Sequence, residues 1–294
     1  MNCEDILIII NPHAGLLNPG AAGPGEIGHL AKRLLPGAGL VVTRSEEHAG
    51  KEVAAALGRG VRIVAGAGGD GTAHFLAGLL AGKDAALGII PMGSAGNVAR
   101  SLGIPGSPRR ALRILRGGLL RNLDLGRVNG VHFIEAAGAG LHAELLRRYG
   151  LKERKGLFRG IYSLSETLSG FRPFDVELEL DGRKVKRRAA QVTVANLPLY
   201  GTGFEIAPGA EADDGLLDVT VLGAAAAAGI PAYAGAARLG LLERLPGVER
   251  FRAAEIVMKT EKAIAVHADA EPAGETPAKF SVKRGALKVV MPRK

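Results

Sequence analysis

The sequence predicts two domains of different class: an α/β N-terminal domain built on a parallel sheet, then a mainly antiparallel β-sandwich. Three observations carry this. Over the first 120 residues, short apolar runs alternate with segments whose apolar positions recur at helical spacing. From about residue 121, short alternating strands follow one another through tight turns. The chain is 294 residues long and 47% apolar, enough for two medium cores.

In order, "DILIII" is a strand, "EIGHLAKRLL" a helix, "GLVVT" a strand and "EEHAGKEVAAALG" a helix. "VRIVAG" and a helix after Gly71 follow, then "ALGIIP", "SAGNVARSLG" and "SPRRALRILRGG". Such βα alternation favours parallel strands with ligands beyond their carboxyl ends, where glycine loops follow "III", "IVA" and "GII". The second part opens near Leu120 to Asp124, giving domains 1–122 and 123–294 that sit close with a cleft between. In it, "FDVELELDGRKVKRRAAQVTVAN" reads as a hairpin turning at Asp181 and Gly182. "GLLDVTVL", "FRAAEIVMKT", "KAIAVHA", "AKFSVKR" and "GALKVVMP" each read as one strand, with helical inserts at about 141–169 and 224–245.

Composition narrows the function. A single cysteine, Cys3, allows no internal disulfide and no cysteine zinc site, which suits a reducing cytoplasm. The seven histidines show no metal-ligand spacing. The opening "MNCEDILIIINPHAG" reads as a first strand rather than a signal peptide, and no apolar run nears the roughly 20 residues of a membrane helix. A net charge of +9 points to an anionic partner. Aromatics at 4% and the lack of a recognition motif argue against nucleic acid, leaving a phosphorylated small molecule or an acidic membrane surface. "RRYGLKERKGLFRGIY" sets Arg147, Arg148, Lys152, Arg154, Lys155 and Arg159 among apolar residues, a pattern of peripheral membrane elements and equally of a solvated helix face.

"RIVAGAGGDGTAHFLAGLLAG" places a carboxylate, Asp70, in a glycine turn of the kind that receives phosphate. The lysine of a Walker A loop is missing, and no ribose-binding acid ends the next strand, so neither a P-loop nor a dehydrogenase fingerprint is present. Beside a triphosphate, Asp70 implies Mg²⁺ nearby or a hydrogen bond to the nucleotide; alternatively it caps the helix starting near Thr72. "EADDGLLD" reads alone as a turn before a strand.

Four ordered blocks, "NPHAG", "GGDGT" with "PMGSAGNVARSLGIP", "VANLPLYGTGFEIAPGAEADDGLLDVTVL" and "VHADAEPAGETPAKFSVKRGALKVVMP", resemble the diacylglycerol kinase catalytic family, which includes sphingosine kinases and bacterial lipid kinases. The resemblance implies a Rossmann-like, NAD kinase-like first domain and ATP-dependent phosphorylation of a lipid hydroxyl, diacylglycerol-like or sphingoid. It assigns nucleotide contacts to Asn11, Pro12, His13, Ala14, Gly15, Thr43, Gly68, Gly69, Asp70, Gly71, Thr72 and Ser94. It implies a structural Mg²⁺ on the Asp214 side chain with the carbonyls of Glu211 and Leu216. In the closing "DAE", the same strand face is expected to present Asp269 and Glu271, Glu271 as base and Asp269 supporting it through water or metal. The chain departs from the family at Gly96 and Asn97, at Ala270 and at His142. Partners implied are ATP, lipid at an anionic surface and a second copy of the chain. An NAD kinase-like small-molecule kinase and an inactive nucleotide- or lipid-binding regulator stay open as alternatives.

Overall fold

A computed structural model describes residues 2–15, 22–149, 171–227, 229–269 and 271–293, with the side chains of 147–149 left aside. The basic segment beyond residue 149, the helix expected to continue to 169, and Ala270 lie outside the described residues. The chain divides into two units, Met1–Asp124 with Gly201–Gly203 and Arg284–Lys294, and Leu125–Tyr200 with Phe204–Lys283. The single cut expected after residue 122 therefore misses a return of the chain, because its last strand runs on into the first unit.

The first unit contains β1 (Ile6–Ile10), α1 (Pro24–Leu34), β2 (Gly39–Val42), α2 (Glu46–Gly58), β3 (Ile63–Gly68), α3 (Asp70–Leu80), β4 (Ala86–Pro91), α4 (Asn97–Ser101) and α5 (Pro108–Gly117). Its strands lie in the order β2-β1-β3-β4, all parallel. Strands β1, β3 and β4 are buried along their whole length, which is why they read as continuous apolar runs instead of alternating ones. Helix starts follow local chemistry: Ser45 Oγ accepts the His48 N–H to cap α2, and Pro24 and Pro108 open α1 and α5. The core packs Ile6, Ile8 and Ile10 with Ile27, Ile63, Ile90, Leu112 and Leu115, each worth about 1.5–3 kcal/mol when fully buried. Because the strands are parallel, the loops after β1, β3 and β4 emerge along one edge of the sheet.

Strand β5 (Leu119–Val128) leads into the second unit. There follow β6 (Val131–Phe133), β7 (Ala136–Gly140), α6 (Leu141–Tyr149), β8 (Phe174–Leu180), β9 (Arg183–Ala195), β10 (Leu199–Tyr200), β11 (Phe204–Glu205), β12 (Leu217–Gly223), α7 (Ile230–Arg238), β13 (Val248–Ala253), β14 (Glu255–Thr260), β15 (Ala265–Ala268), β16 (Glu271–Glu275) and β17 (Ala278–Met291). The path is β16-β15-β7-β9-β8-β14-β17, and successive strands along it pair antiparallel. Strand β9 serves two layers: residues 183–189 pair with β8, whereas 191–195 lie between β7 and β12. The core between the layers joins Phe133, Leu178, Val192, Val219, Ile256, Met258 and Phe280.

The hairpin at Asp181 and Gly182 forms as expected, both residues having positive φ. Three boundaries differ. "FRAAEIVMKT" divides between β13 and β14 at Ala254, where the Asp181 carboxylate accepts the N–H groups of Ala254 and Glu255. "AKFSVKR" and "GALKVVMP" join into one long strand, Gly285 absorbing the irregularity at φ 56°. The insert at 224–245 is α7 between two short 3₁₀ turns, because Gly229 and Gly240 interrupt the helical run.

Candidate functional site

In the first unit the glycine turn is a place of close backbone approach. A Cβ on Gly68 would lie 2.2 Å from Thr72 Oγ1 and 2.5 Å from Thr72 Cβ, so this position excludes any side chain. A Cβ on Gly93 would fall 2.7 Å from Gly69 Cα, so the loops after β3 and β4 meet backbone to backbone. The Met92 N–H donates to Gly68 O at 2.8 Å. Asn11, after β1, donates from Nδ2 to Thr72 Oγ1 at 3.2 Å, and its Oδ1 accepts the His13 N–H at 3.0 Å. "NPHAG", "GGDGT" and the "GSAGN" loop are thus joined by direct contacts, with the amino end of α3 among them. That end offers backbone N–H groups and a positive dipole, the chemistry that receives phosphate.

Asp70 does not cap its own helix. Gly69 precedes α3, and Asp70 Oδ1 instead accepts the Val98 N–H at 3.0 Å, capping α4 from outside. This ties the two glycine loops and corrects the expectation that the alternative to a nucleotide role was a cap near Thr72. Thr43 donates its hydroxyl to Ile10 O at 3.2 Å and its N–H to the same oxygen at 2.9 Å, joining the ends of β1 and β2. Ser94 is exposed in its loop, and Gly15 has φ 78°. Asn97, assigned no contact from sequence, is 1% exposed and donates from Nδ2 to Gly201 O at 2.8 Å.

In the second unit the "DAE" motif is not one strand face. Asp269 stands in the turn after β15 with φ 49°, and Glu271 begins β16, paired antiparallel with Ala268. The two acids do not share the i, i+2 face of one strand, because the chain reverses between β15 and β16. Asp269 is 4% exposed, and its carboxylate accepts three N–H groups: Ile134 at 3.0 Å, Glu135 at 2.8 Å and Ala136 at 3.0 Å. Its own N–H donates to Ala136 O at 2.7 Å. Both oxygens thus accept from backbone, so the carboxylate clamps residues 134–136 to the turn. Glu271 is exposed.

Sequence reasoning missed a buried aromatic cluster behind this turn. The Tyr200 hydroxyl donates to Asp269 O and lies 3.1 Å from both His142 Nε2 and His267 Nδ1. His267 Nδ1 also lies 3.0 Å from Asp269 O. A carbonyl only accepts, so His267 carries its proton on Nδ1, while His142 donates from Nε2 to the tyrosine oxygen. The Tyr200 and His267 rings stack with centroids 5.5 Å apart. Burial lowers the His267 pKa to about 3, with His142 adding to the effect, and lowers that of His142 to about 4; both rings are neutral near pH 7. Burial first, then the charges of Asp269 and Glu135, push the Tyr200 phenol well above its usual range. The residues come from positions 142, 200 and 267, so no local pattern announces them.

The "EADDGLLD" segment also has partners. Asp214 Oδ1 accepts the Leu216 N–H at 2.9 Å, and Oδ2 accepts from Arg252 Nη2. Among the described residues no group of three or more His, Cys, Asp or Glu side chains could hold a metal ion.

With this geometry in view, comparison with known proteins decides the family. The model of the diacylglycerol kinase catalytic domain matches residues 5–128, and that of the YegS C-terminal NAD kinase beta sandwich-like domain matches residues 139–291. The chain belongs to the diacylglycerol kinase catalytic family. It is 31% identical to a diacylglycerol kinase of Mycobacterium tuberculosis (strain ATCC 25618 / H37Rv) over 300 residues, covering 98% of this chain and 95% of the relative. With a diacylglycerol kinase of Bacillus subtilis (strain 168) it shares 32% identity over 252 residues, 84% of this chain and 82% of that one. A solved diacylglycerol kinase structure from Bacillus anthracis str. Sterne shares the fold, with a TM-score of 0.76 at 23% identity over 98% of this chain and 97% of that chain. As a family member the chain is a kinase, a phosphotransferase acting on an alcohol group. Among the described residues no helix is long and apolar enough to cross a membrane.

Proposed function

We propose that the chain is an ATP- and Mg²⁺-dependent lipid kinase, phosphorylating the hydroxyl of a diacylglycerol-like or sphingoid lipid at an anionic membrane surface. The observation that carries this is the steric requirement for glycine at Gly68 and Gly93, beside the amino end of α3, in a chain whose family phosphorylates alcohols. Phosphate oxygens accept from backbone N–H groups where side chains are excluded, and Ser94 and Thr72 offer hydroxyls in the same loops. Asp70 holds the loops in register through Val98 and sets the charge beside the phosphates.

Glu271 takes the proton of the attacking lipid hydroxyl, a step that matters as the oxygen attacks the γ-phosphorus. Asp269 keeps the turn in its left-handed conformation and so fixes where β16 begins. Mg²⁺ arriving with the nucleotide would offset phosphate charge; at Asp214 the Arg252 guanidinium already supplies the positive charge that a divalent ion would bring. The net charge of +9 supports attraction to anionic lipid, about 1 kcal/mol per basic residue near the surface.

The test is transfer from labelled ATP to a total lipid extract, with NAD as a parallel acceptor. A labelled lipid whose formation needs Mg²⁺ is expected. Labelled NADP without labelled lipid would replace this reading with a soluble-substrate kinase, and ATP binding without any labelled product would replace it with a regulator.

A further inference from the structure

The family leads one to expect a structural Mg²⁺ at residues 211–218, and the side chains of this chain are arranged against it. The register of β12 and β13 places Asp218 directly opposite Arg252, and Thr220 opposite Arg250. Arg252 reaches Asp214 Oδ2 with Nη2, and its Nε lies 3.7 Å from Asp218 Oδ2. Arg250 donates from Nη2 to Asp218 Oδ1 at 2.6 Å and from Nη1 to Glu243. Asp218 is 3% exposed, so its charge demands a fixed partner, which these two arginines provide.

We propose that Arg252 stands in for the divalent ion: its guanidinium supplies in cis the positive charge that holds the 211–218 turn onto β13. A Mg²⁺ bound to Asp214 would have to take the guanidinium's place on Oδ2, where the positive charge already sits, and share Oδ1 with the Leu216 N–H. The carbonyls of Glu211 and Leu216 are neutral and could not alone balance a divalent charge. A guanidinium serves two carboxylates from one strand position with donors fixed in a plane, whereas a lysine offers a point charge on a flexible stem. The magnesium requirement of the enzyme then belongs to the nucleotide alone. The inference rests on the lipid-kinase reading only for the expectation of an ion there.

The experiment is thermal melting of the full chain without nucleotide or lipid, in excess EDTA and in millimolar Mg²⁺. Wild type is expected to melt at the same temperature in both. Arg252→Gln should melt about 2–4 °C lower in EDTA, the shift of a modest loss in a unit this size, and Mg²⁺ should restore it. Arg252→Lys keeps the charge and serves if the glutamine variant does not fold; its smaller loss should also be reversed by Mg²⁺. The proposal is overturned if Mg²⁺ raises the wild-type melting temperature saturably and Asp214→Asn abolishes the rise. It is equally overturned if Arg252→Gln melts like wild type, or is destabilised and Mg²⁺ does not restore it. A chain that phosphorylates no lipid would leave these melting results as they are, so the two claims fail separately.

Discussion

The glycine turn of the first unit and the closing hairpin of the second both set an aspartate against backbone amides, and they use it differently. Asp70 is partly exposed and gives one oxygen to one amide, that of Val98. Asp269 is buried and gives both oxygens to three amides, with a tyrosine and a histidine on its own carbonyl. An acid that keeps part of its surface free can still act on a ligand's charge. One bonded through both oxygens holds the backbone around it, and the proposed function gives the base role to its neighbour Glu271. Sharing a motif therefore does not mean sharing a role.

The contrast is broken most severely at Glu271. Glu271→Gln should lower kcat by about 10² to 10⁴ at saturating lipid while ATP KM and melting temperature stay at wild-type values, because the amide keeps shape but takes no proton. Steady-state kinetics with a melting curve checks this, and near-normal turnover would move the base elsewhere. Next in size is Gly68→Ala, whose methyl would overlap Thr72 at two atoms; a loss of about 1–3 kcal/mol in denaturant unfolding is expected. Gly69→Ala should fold normally, since its Cβ meets only Gly93 Cα at 3.5 Å, and should show itself as a raised ATP KM. Equal stability losses in the two would remove the distinction between a steric and a ligand-facing glycine.

The histidine cluster predicts a pH effect. The unfolded chain binds a proton at each histidine near pH 6.5, whereas in the fold His142 does so only near 4 and His267 only near 3. The unfolded state thus holds more protons between these values. The stabilisation is complete above about pH 6.5 and declines as pH falls toward 3–4. His142→Gln should flatten the fall of melting temperature between pH 6.5 and 4, and an unchanged slope would contradict the shifts. The smallest effect is at Asp70: Asp70→Asn keeps an oxygen for Val98 and should melt normally with reduced turnover, whereas Asp70→Ala should also lose about 1 kcal/mol as the cap of α4 goes.

What was legible in the sequence follows the same division. Local, backbone-imposed features could be read directly: the all-apolar strands β1, β3 and β4, the hairpin at Asp181 and Gly182, and the glycine turn. Features depending on distant pairings could not. The carboxylate of Asp70 reaches residue 98, Asn97 reaches Gly201, and the Tyr200 cluster gathers three strand or helix ends from across 125 positions. Strand alternation does not carry across "DAE" because the chain reverses there, as the positive φ of Asp269 and the pairing of Ala268 with Glu271 show. The metal reading of Asp214 lacked Arg252, which the register of a strand 38 residues away supplies.

The central claim, that Asp269 builds the site and Glu271 performs the chemistry, is tested most directly by Asp269→Asn. The amide replaces one accepting oxygen with a donor facing backbone N–H groups, so the melting temperature should fall. The kcat per folded molecule, measured well below that melting temperature, should remain within several-fold of wild type. An Asp269→Asn enzyme that melts like wild type yet has lost turnover by the 10² to 10⁴ expected of a missing base would contradict the account.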